Sequence, residues 1–259
     1  MSGIGRTVHR AQSNADIYHV TARGVAQQLI FEDERDRNAL FELLKKHVKK
    51  TKIELYAWCF MGNHIHLVIH SNLETLSYFM QTVLGPYARM FNARHGRCGH
   101  LFQERFSSSP IDTDEYLMTA VRYVHQNPVG IGVRAIDRYR WSSYREYLGE
   151  QGFTSTDFVL GVFGGKDAFV EFHRISYSDQ ETRILEFEGL PETAPDLNDD
   201  IIQEAKGLLG VSDLAAITHF DKRQRDNMLV VLKARYGIRQ TARLTGIGRN
   251  IVQRASIIE

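Results

Sequence analysis

Disulfide chemistry is nearly absent from this sequence: its 259 residues include two cysteines, Cys59 and Cys98, at a spacing that fits no zinc or redox motif. A stapled secreted scaffold is excluded, and a reducing compartment is the simpler setting. Also missing is any apolar run of about 18 residues that could span a bilayer. The N-terminus lacks the charged, apolar and small-residue order of a signal peptide, so a cytoplasmic protein with no membrane partner is expected. A strong charge of either sign is lacking too, since the formal net charge is +1. That near-neutrality is a cancellation. Residues 1–150 carry 19 Lys and Arg against 15 Asp and Glu, residues 151–214 carry 4 against 13, and residues 215–259 carry 9 against 3. Basic ends around an acidic middle suggest two surfaces for a polyanion separated by a segment that repels it. Hydrophobic content of 43% and charged content of 24% are those of an ordinary globular protein with an ample core, in one large domain or two moderate ones.

What is there centres on WCFMGNHIHLVIH, from Trp58 to His70. Side chains alternate across a strand, so His64 and His66 share one face while Ile65 and Leu67 share the other. Two imidazoles on one face can hold one metal ion, or they can be an unliganded surface or core pair. Ile65, Leu67 and Ile69 need the apolar side, which turns the histidines toward a cleft or solvent. Met61-Gly62-Asn63 supplies turn residues between 53–60 and 64–69, the pattern of a tight antiparallel hairpin. His70 reads as a strand-end residue rather than a third ligand, and Cys59 as facing the sheet interior.

Around that hairpin, residues 17–21 alternate as a first strand before the Arg23-Gly24 turn. Residues 32–50 have helical apolar spacing and end in Lys45, Lys46, Lys49, Lys50 and Lys52, either relieving the helix dipole or forming a phosphate patch. Residues 73–94 form a second helical stretch that Pro86 should kink or split. Residues 101–111 read as an irregular strand holding Arg105. Asp112 and Glu115 have capping-box spacing, and Asn127-Pro128 marks a helix end. On that helix Tyr123 and Asn127 lie one turn apart on the same side. A phenol and an amide thus point into one space, although a buried core tyrosine is the plain alternative.

The combination of YHVTARG, GNHIHL, FQERF, RYVHQNPVGIG and WSSY, in that order over about residues 17–148, resembles the REP-associated tyrosine transposases. These are single-tyrosine members of the His-hydrophobic-His transposases and nucleases. The resemblance implies an α+β fold, a ferredoxin-like antiparallel sheet with helices on one face. It further implies that His64 and His66 bind Mg²⁺ or Mn²⁺ and that Tyr123 is the nucleophile. In related insertion-sequence transposases a Gln one turn after the tyrosine completes the metal site, and Asn127 holds that position here. Relatives pair their sites across a dimer or act as monomers, so a homodimer is a possible assembly. Transesterification of a phosphodiester suits these residue types: it needs a nucleophile, a cation on the non-bridging oxygens and an in-line pose. A free tyrosine, with a pKa of about 10, also needs a base or nearby positive charge, and no base stands out in the sequence.

Further contacts are open to two readings. Arg105 and Arg122 could meet phosphate or pair with Glu104, Asp112 or Glu115. Arg10, Arg23 and the turn from Thr21 to Gly24 could help hold the foot of a DNA hairpin. Trp141 and Tyr144 read as packing residues. Residues 149–198 are acidic and glycine-punctuated, with short helices over 167–177 and up to 188 and a linker at Pro191 and Pro195. Helical patterns follow over 199–209 and 222–236. The tail YGIRQTARLTGIGRNIVQRA resembles the DNA-binding domain of the bacterial chromosomal replication initiator, with Gly246 at the turn of a helix-turn-helix. Arg249, Asn250, Gln253 and Arg254 would then face a major groove. A small helical bundle with a solvated basic face is the alternative.

The expected organisation is a catalytic domain over 1–148, an acidic extension and linker over 149–198, and an all-α helix-turn-helix domain over 199–259. The expected function is metal-dependent cleavage and strand transfer on single-stranded hairpin DNA through a 5′-phosphotyrosine. Two rivals stand beside it: a domesticated DNA-binding regulator that does not cleave, and a zinc-dependent RNA-binding protein with structural histidines.

Overall fold

The computed structural model describes residues 11–131, 135–175 and 199–257. Arg10, the linker at Pro191 and Pro195 and the helix suggested up to 188 lie outside the described residues. In chain order come β1 (Ile17–Arg23), α1 (Glu34–Thr51), β2 (Glu54–Phe60), β3 (His64–His70), α2 (Leu73–Arg94), β4 (Ser107–Ile111) and α3 (Asp114–Gln126). The strands form one antiparallel sheet in the order β2-β3-β1-β4. This is the interleaved β-α-β topology of a ferredoxin-like domain. Pro110 sits in β4, an edge strand, where a missing N–H does least harm.

Strand alternation divides the core in two. Tyr18, Val20 and Ala22 of β1 and Ile65, Leu67 and Ile69 of β3 pack with Leu40, Leu44 and Val48 of α1 and with Leu76, Phe79 and Val83 of α2. On the opposite side Ile17, Cys59, Val68 and Ile111 meet Leu117, Ala120, Val121 and Val124 of α3. β2 carries a bulge between Leu55 and Ala57. It re-phases the strand, so Trp58 and Phe60 join the α1/α2 core while Ala57 and Cys59 join the α3 core.

Three local expectations are corrected. α2 runs through Pro86 as one helix, because Val83, Leu84 and Tyr87 on both sides of the proline are buried in one core. α3 is capped by Thr113, which accepts from the Tyr116 N–H, while Asp112 instead receives the Ser13 hydroxyl at 2.8 Å and the Asn14 N–H at 2.7 Å. β4 begins at Ser107, so Arg105 lies in the bend before it and is exposed.

Beyond α3, residues 141–143 run along β2: Phe60 N–H donates to the Trp141 carbonyl and Ser143 N–H to the Trp58 carbonyl, both at 2.9 Å. They cover the open edge of the sheet. Three short helices follow, α4 (Tyr144–Tyr147), α5 (Thr156–Phe163) and α6 (Lys166–Arg174), with Val159, Phe163 and Phe169 in the α3 core.

The C-terminal part comprises α7 (Asp199–Leu209), a 3-10 turn (Ala215–His219), α8 (Lys222–Thr245) and α9 (Arg249–Arg254). α8 is interrupted at Gly237, whose φ of 74° and ψ of 169° are non-helical, and it ends on Gly246 at φ 68°, a left-handed position that suits glycine. Leu214, Ile217, Leu229, Leu232, Ile251 and Val252 form its core, and Leu29, from the loop before α1, joins it. The tail is thereby docked on the sheet domain. Arg225 donates to the Glu32 carbonyl at 3.0 Å, and Arg254 pairs with the Glu32 carboxylate at 3.0 Å.

Candidate active site

The register of β1 against β3 sets Thr21 opposite His66, Arg23 opposite His64 and His19 opposite Val68. Directly opposed residues share a face, so His19, Thr21 and Arg23 stand beside the two histidines. The His64 and His66 rings are perpendicular with centroids 4.8 Å apart, and His66 stacks on His19 at 5.1 Å.

The group behind each imidazole sets its tautomer. Asn63 Nδ2 donates to the Gln27 carbonyl at 3.2 Å, which turns Asn63 Oδ1 to His64 Nδ1 at 2.6 Å. Since a carbonyl oxygen only accepts, His64 Nδ1 carries the proton and Nε2 keeps a lone pair. His66 Nε2 receives the Asn127 amide N–H at 3.3 Å, so its own proton sits on Nδ1, 3.0 Å from His19 Nε2 and 3.2 Å from the Thr21 hydroxyl. Burial keeps these imidazoles neutral. It pushes His19 down to about 4 and His64 to about 3, the latter helped by the charges of Arg23 and His219 and opposed by a hydrogen bond with Asn127. His66 is held well below its ordinary value by burial, then by His64, His19 and Arg23.

α3 brings the other half. Tyr123 is 4% exposed, and its ring centroid lies 5.4 Å from that of His66 and 5.8 Å from that of His19, nearly perpendicular to both. Asn127, one turn on, follows directly after the last residue of α3, and its amide reaches both His64 and His66. His64, His66, Tyr123 and Asn127 therefore meet in one place, all from one chain.

The remaining predicted residues divide. Arg23 lies close enough to His64 and His66 to lower both pKa values. Arg105 is exposed in its bend. Arg122 is buried, its guanidinium 4.3 Å from the Phe172 ring centre, which sets it against α6. Arg249 and Asn250 open α9, and Gln253 is exposed on it. Arg254 is turned to the sheet domain, where it pairs with Glu32 and donates to the His95 carbonyl at 3.3 Å. His70 ends β3 in an exposed pair with Glu54 at 2.7 Å.

Sequence reasoning missed the roles of His19, Thr21, Asn63 and His219 behind the histidine pair, reading Thr21 only with the turn to Gly24 as a contact for a hairpin foot and Asn63 only as a turn residue. The first two carry a signal, since His19, Thr21 and Arg23 alternate along β1 just as His64 and His66 do along β3. His219 carries none: its Nδ1 accepts the Gly62 N–H at 3.3 Å from 157 residues away. A Cβ on Gly62 would stand 2.7 Å from the Thr218 carbonyl oxygen, so the glycine is what lets the 3-10 turn approach the histidine hairpin.

A ferredoxin-like sheet with a histidine pair facing a helix-borne tyrosine defines the class. Residues 13–127, ending on Asn127, match the family described as Transposase IS200 like. The sheet-bearing region is thus similar to the IS200-like transposases. Comparison with curated proteins finds no match. A solved structure described as "Structure of the REP associates tyrosine transposase bound to a REP hairpin" is similar at 16% identity and a TM-score of 0.44, over 61% of this chain and 93% of that one.

Two neutral Nε2 lone pairs aimed at an amide suit a divalent ion. Among the described residues no three His, Cys, Asp or Glu side chains gather as a metal set, so protein would supply two imidazoles and the Asn127 amide. The remaining positions would be left for oxygens of water or substrate, which is how Mg²⁺ and Mn²⁺ commonly bind phosphates. The residues fit the group.

Proposed function

We infer that the chain is a DNA strand-cleaving and strand-joining transposase that works through Tyr123. The observation that carries this reading is the meeting of the Tyr123 ring with His66, and of Asn127 with both histidines, in a region similar to the IS200-like transposases. The Tyr123 hydroxyl oxygen attacks a DNA phosphorus and forms the 5′-phosphotyrosyl bond. The bond to the 3′ oxygen breaks, and that oxygen leaves as a hydroxyl. Reversal by a new 3′-hydroxyl joins a second strand, and no external energy source is needed because the phosphotyrosine conserves the bond energy. His64 and His66, with Asn127, would hold Mg²⁺ or Mn²⁺. When bound, the ion supplies positive charge for the non-bridging phosphate oxygens. Arg23 adds a permanent cation beside it.

The substrate in this reading is single-stranded DNA folded as an imperfect hairpin, with residues 1–148 as the catalytic domain and 149–198 as an extension. Residues 199–259 would bind duplex or hairpin stem. The helix ending at Gly246 and the short α9 after it support a helix-turn-helix, with Gln253 exposed on α9 and Arg249 and Asn250 proposed, from the sequence pattern alone, as its other DNA contacts. Since His64, His66, Asn127 and Tyr123 come from one chain, a second subunit is not needed to assemble them.

The test compares the native protein with Tyr123→Phe on end-labelled single-stranded hairpins carrying flanking sequence, in Mg²⁺ or Mn²⁺, with denaturing gels that retain protein–DNA adducts. A covalent adduct and a 3′-hydroxyl product from the native protein alone are expected. Equal products, or no adduct from either protein across a hairpin library, would leave the non-cleaving regulator as the correct reading.

A further inference from the structure

The acidic extension carries no catalytic motif, yet α6 is joined to α3 at three positions close to Tyr123 in the chain. The Arg122 guanidinium lies over the Phe172 ring at 4.3 Å. His125 Nδ1 meets His173 Nε2 at 3.0 Å. Gln126 Nε2 donates to the His173 carbonyl at 2.6 Å and to the Ile175 carbonyl at 2.9 Å.

The histidine pair belongs to a chain in which every proton has one place. The Phe169 carbonyl, 2.8 Å from His173 Nδ1, only accepts, so His173 Nδ1 is the N–H and His173 Nε2 accepts from His125 Nδ1. His125 Nε2, left with its lone pair, accepts the Ser143 hydroxyl at 2.8 Å, and Ser143 Oγ in turn receives the Trp58 N–H at 2.9 Å. Ser143, His125 and His173 are all buried. The chain thus runs from α6 through α3 to β2, the strand that pairs with the histidine strand β3.

At about 100° per residue, Arg122, Gln126 and His125 occupy one side of α3, Leu117, Val121 and Val124 the side toward the sheet, and Tyr123 with Asn127 the boundary between them. The α6 contacts therefore resist rotation of α3 about its own axis. A rotation of about 10° would carry a hydroxyl some 9 Å from the axis by roughly 1.5 Å. A misplacement of about 1 Å can lower a rate on the order of 10²-fold.

We propose that His173, with Phe172 and its neighbouring α6 carbonyls, positions the Tyr123 hydroxyl through α3, making the acidic extension part of the cleavage machinery. The proposal rests on Tyr123 being the nucleophile. Its effect is expected on the chemical step, because Phe172 and His173 meet Arg122, His125 and Gln126 of α3 and act on Tyr123 through the helix.

The experiment measures single-turnover adduct formation, hairpin affinity and thermal melting on the full chain. His173→Ala is expected to lower the adduct-forming rate on the order of 10²-fold with hairpin affinity changed less than about two-fold. His173→Gln, whose side-chain amide can accept the His125 N–H, is expected to restore most of the rate, which a mere loss of packing would not predict. Should His173→Ala fail to fold, Phe172→Leu keeps an apolar side chain while removing the ring under Arg122, and a slowed rate at unchanged affinity is expected there. A folded His173→Ala or Phe172→Leu protein that cleaves at the native rate overturns the proposal. Cleavage by Tyr123→Phe would overturn the nucleophile itself, a separate result.

Discussion

The rings of Tyr123 and His66 stand at 86° to one another with their centroids 5.4 Å apart. One belongs to a helix, the other to a strand on the sheet face that helix covers. Their approach is produced by packing of Leu117, Val121 and Val124 against Val68, Cys59 and Ile17. Removing the phenol oxygen alone should leave that packing intact. Tyr123→Phe is expected to melt within a few degrees of the native protein while losing all adduct, and a large drop in melting temperature would show the hydroxyl to be a structural group.

Both metal-candidate imidazoles are already anchored from behind, His64 by Asn63 and His66 by His19 and Thr21. Folding therefore does not wait for an ion. Chelator treatment is expected to abolish cleavage and shift the melting temperature by no more than about 2 °C, checked by calorimetry with and without chelator; collapse of the fold would instead identify a structural ion.

His19 and Thr21 act on the ion through His66. Changing a group that orients a metal-bound imidazole commonly costs on the order of 10–100-fold in affinity. His19→Phe, which fills similar volume without the ring nitrogens, is expected to weaken Mn²⁺ binding by that amount in titration calorimetry. Unchanged affinity would remove His19 from the site.

Acid should destabilise the fold through the buried histidines. Burial holds the folded-state pKa of His173 near 4 against an ordinary 6.5, and His125 is likewise depressed by burial and then by His173. A base whose pKa is lowered by folding stabilises the native state fully above its unfolded value. That stability is lost as pH falls from about 6.5 toward 4, on the order of 3 kcal/mol for His173 alone. Melting curves across this window are expected to shift down, and His173→Gln should reduce the shift. A flat profile would mean that the His125–His173 pair is protonated without cost.

The 3-10 turn rests directly on Gly62. With a Cβ 2.7 Å from the Thr218 carbonyl oxygen, Gly62→Ala must push the two segments apart. A loss of about 1–3 kcal/mol is expected, together with faster proteolysis within residues 199–257 than in the sheet domain. Equal protection of both parts would show that docking tolerates the added methyl.

The sequence made the hairpin legible because its signals are local: alternation from His64 to His70 and a Gly-Asn turn. The extent of α2 was equally local, since the helical apolar spacing over 73–94 is where the helix lies, and the structure adds Asn72 as its cap. His19 was not legible as a site residue, because its role depends on β1 pairing with β3 across nearly fifty residues. Asp112 looked like a cap, but the tertiary bonds from Ser13 and Asn14 took its carboxylate and left the task to Thr113. Arg254 has the look of a groove-reading residue from sequence, and no short-range pattern announces Glu32 as its partner.

The extra residue that β2 accommodates at Tyr56 has one more implication. Because Leu55 pairs with Ile69 and Ala57 with Val68, removing Tyr56 would leave the alternation regular, but inserting one residue after Ala57 would swap the two faces of everything downstream in that strand. The indole of Trp58 and the phenyl of Phe60 would be driven toward the imidazoles, where the thiol of Cys59 now leaves room, and the small side chains would vacate the layer beneath α1 and α2. Natural length variants of the protein should therefore gain no residue in this stretch after Ala57, even where they tolerate insertions in the loops on either side.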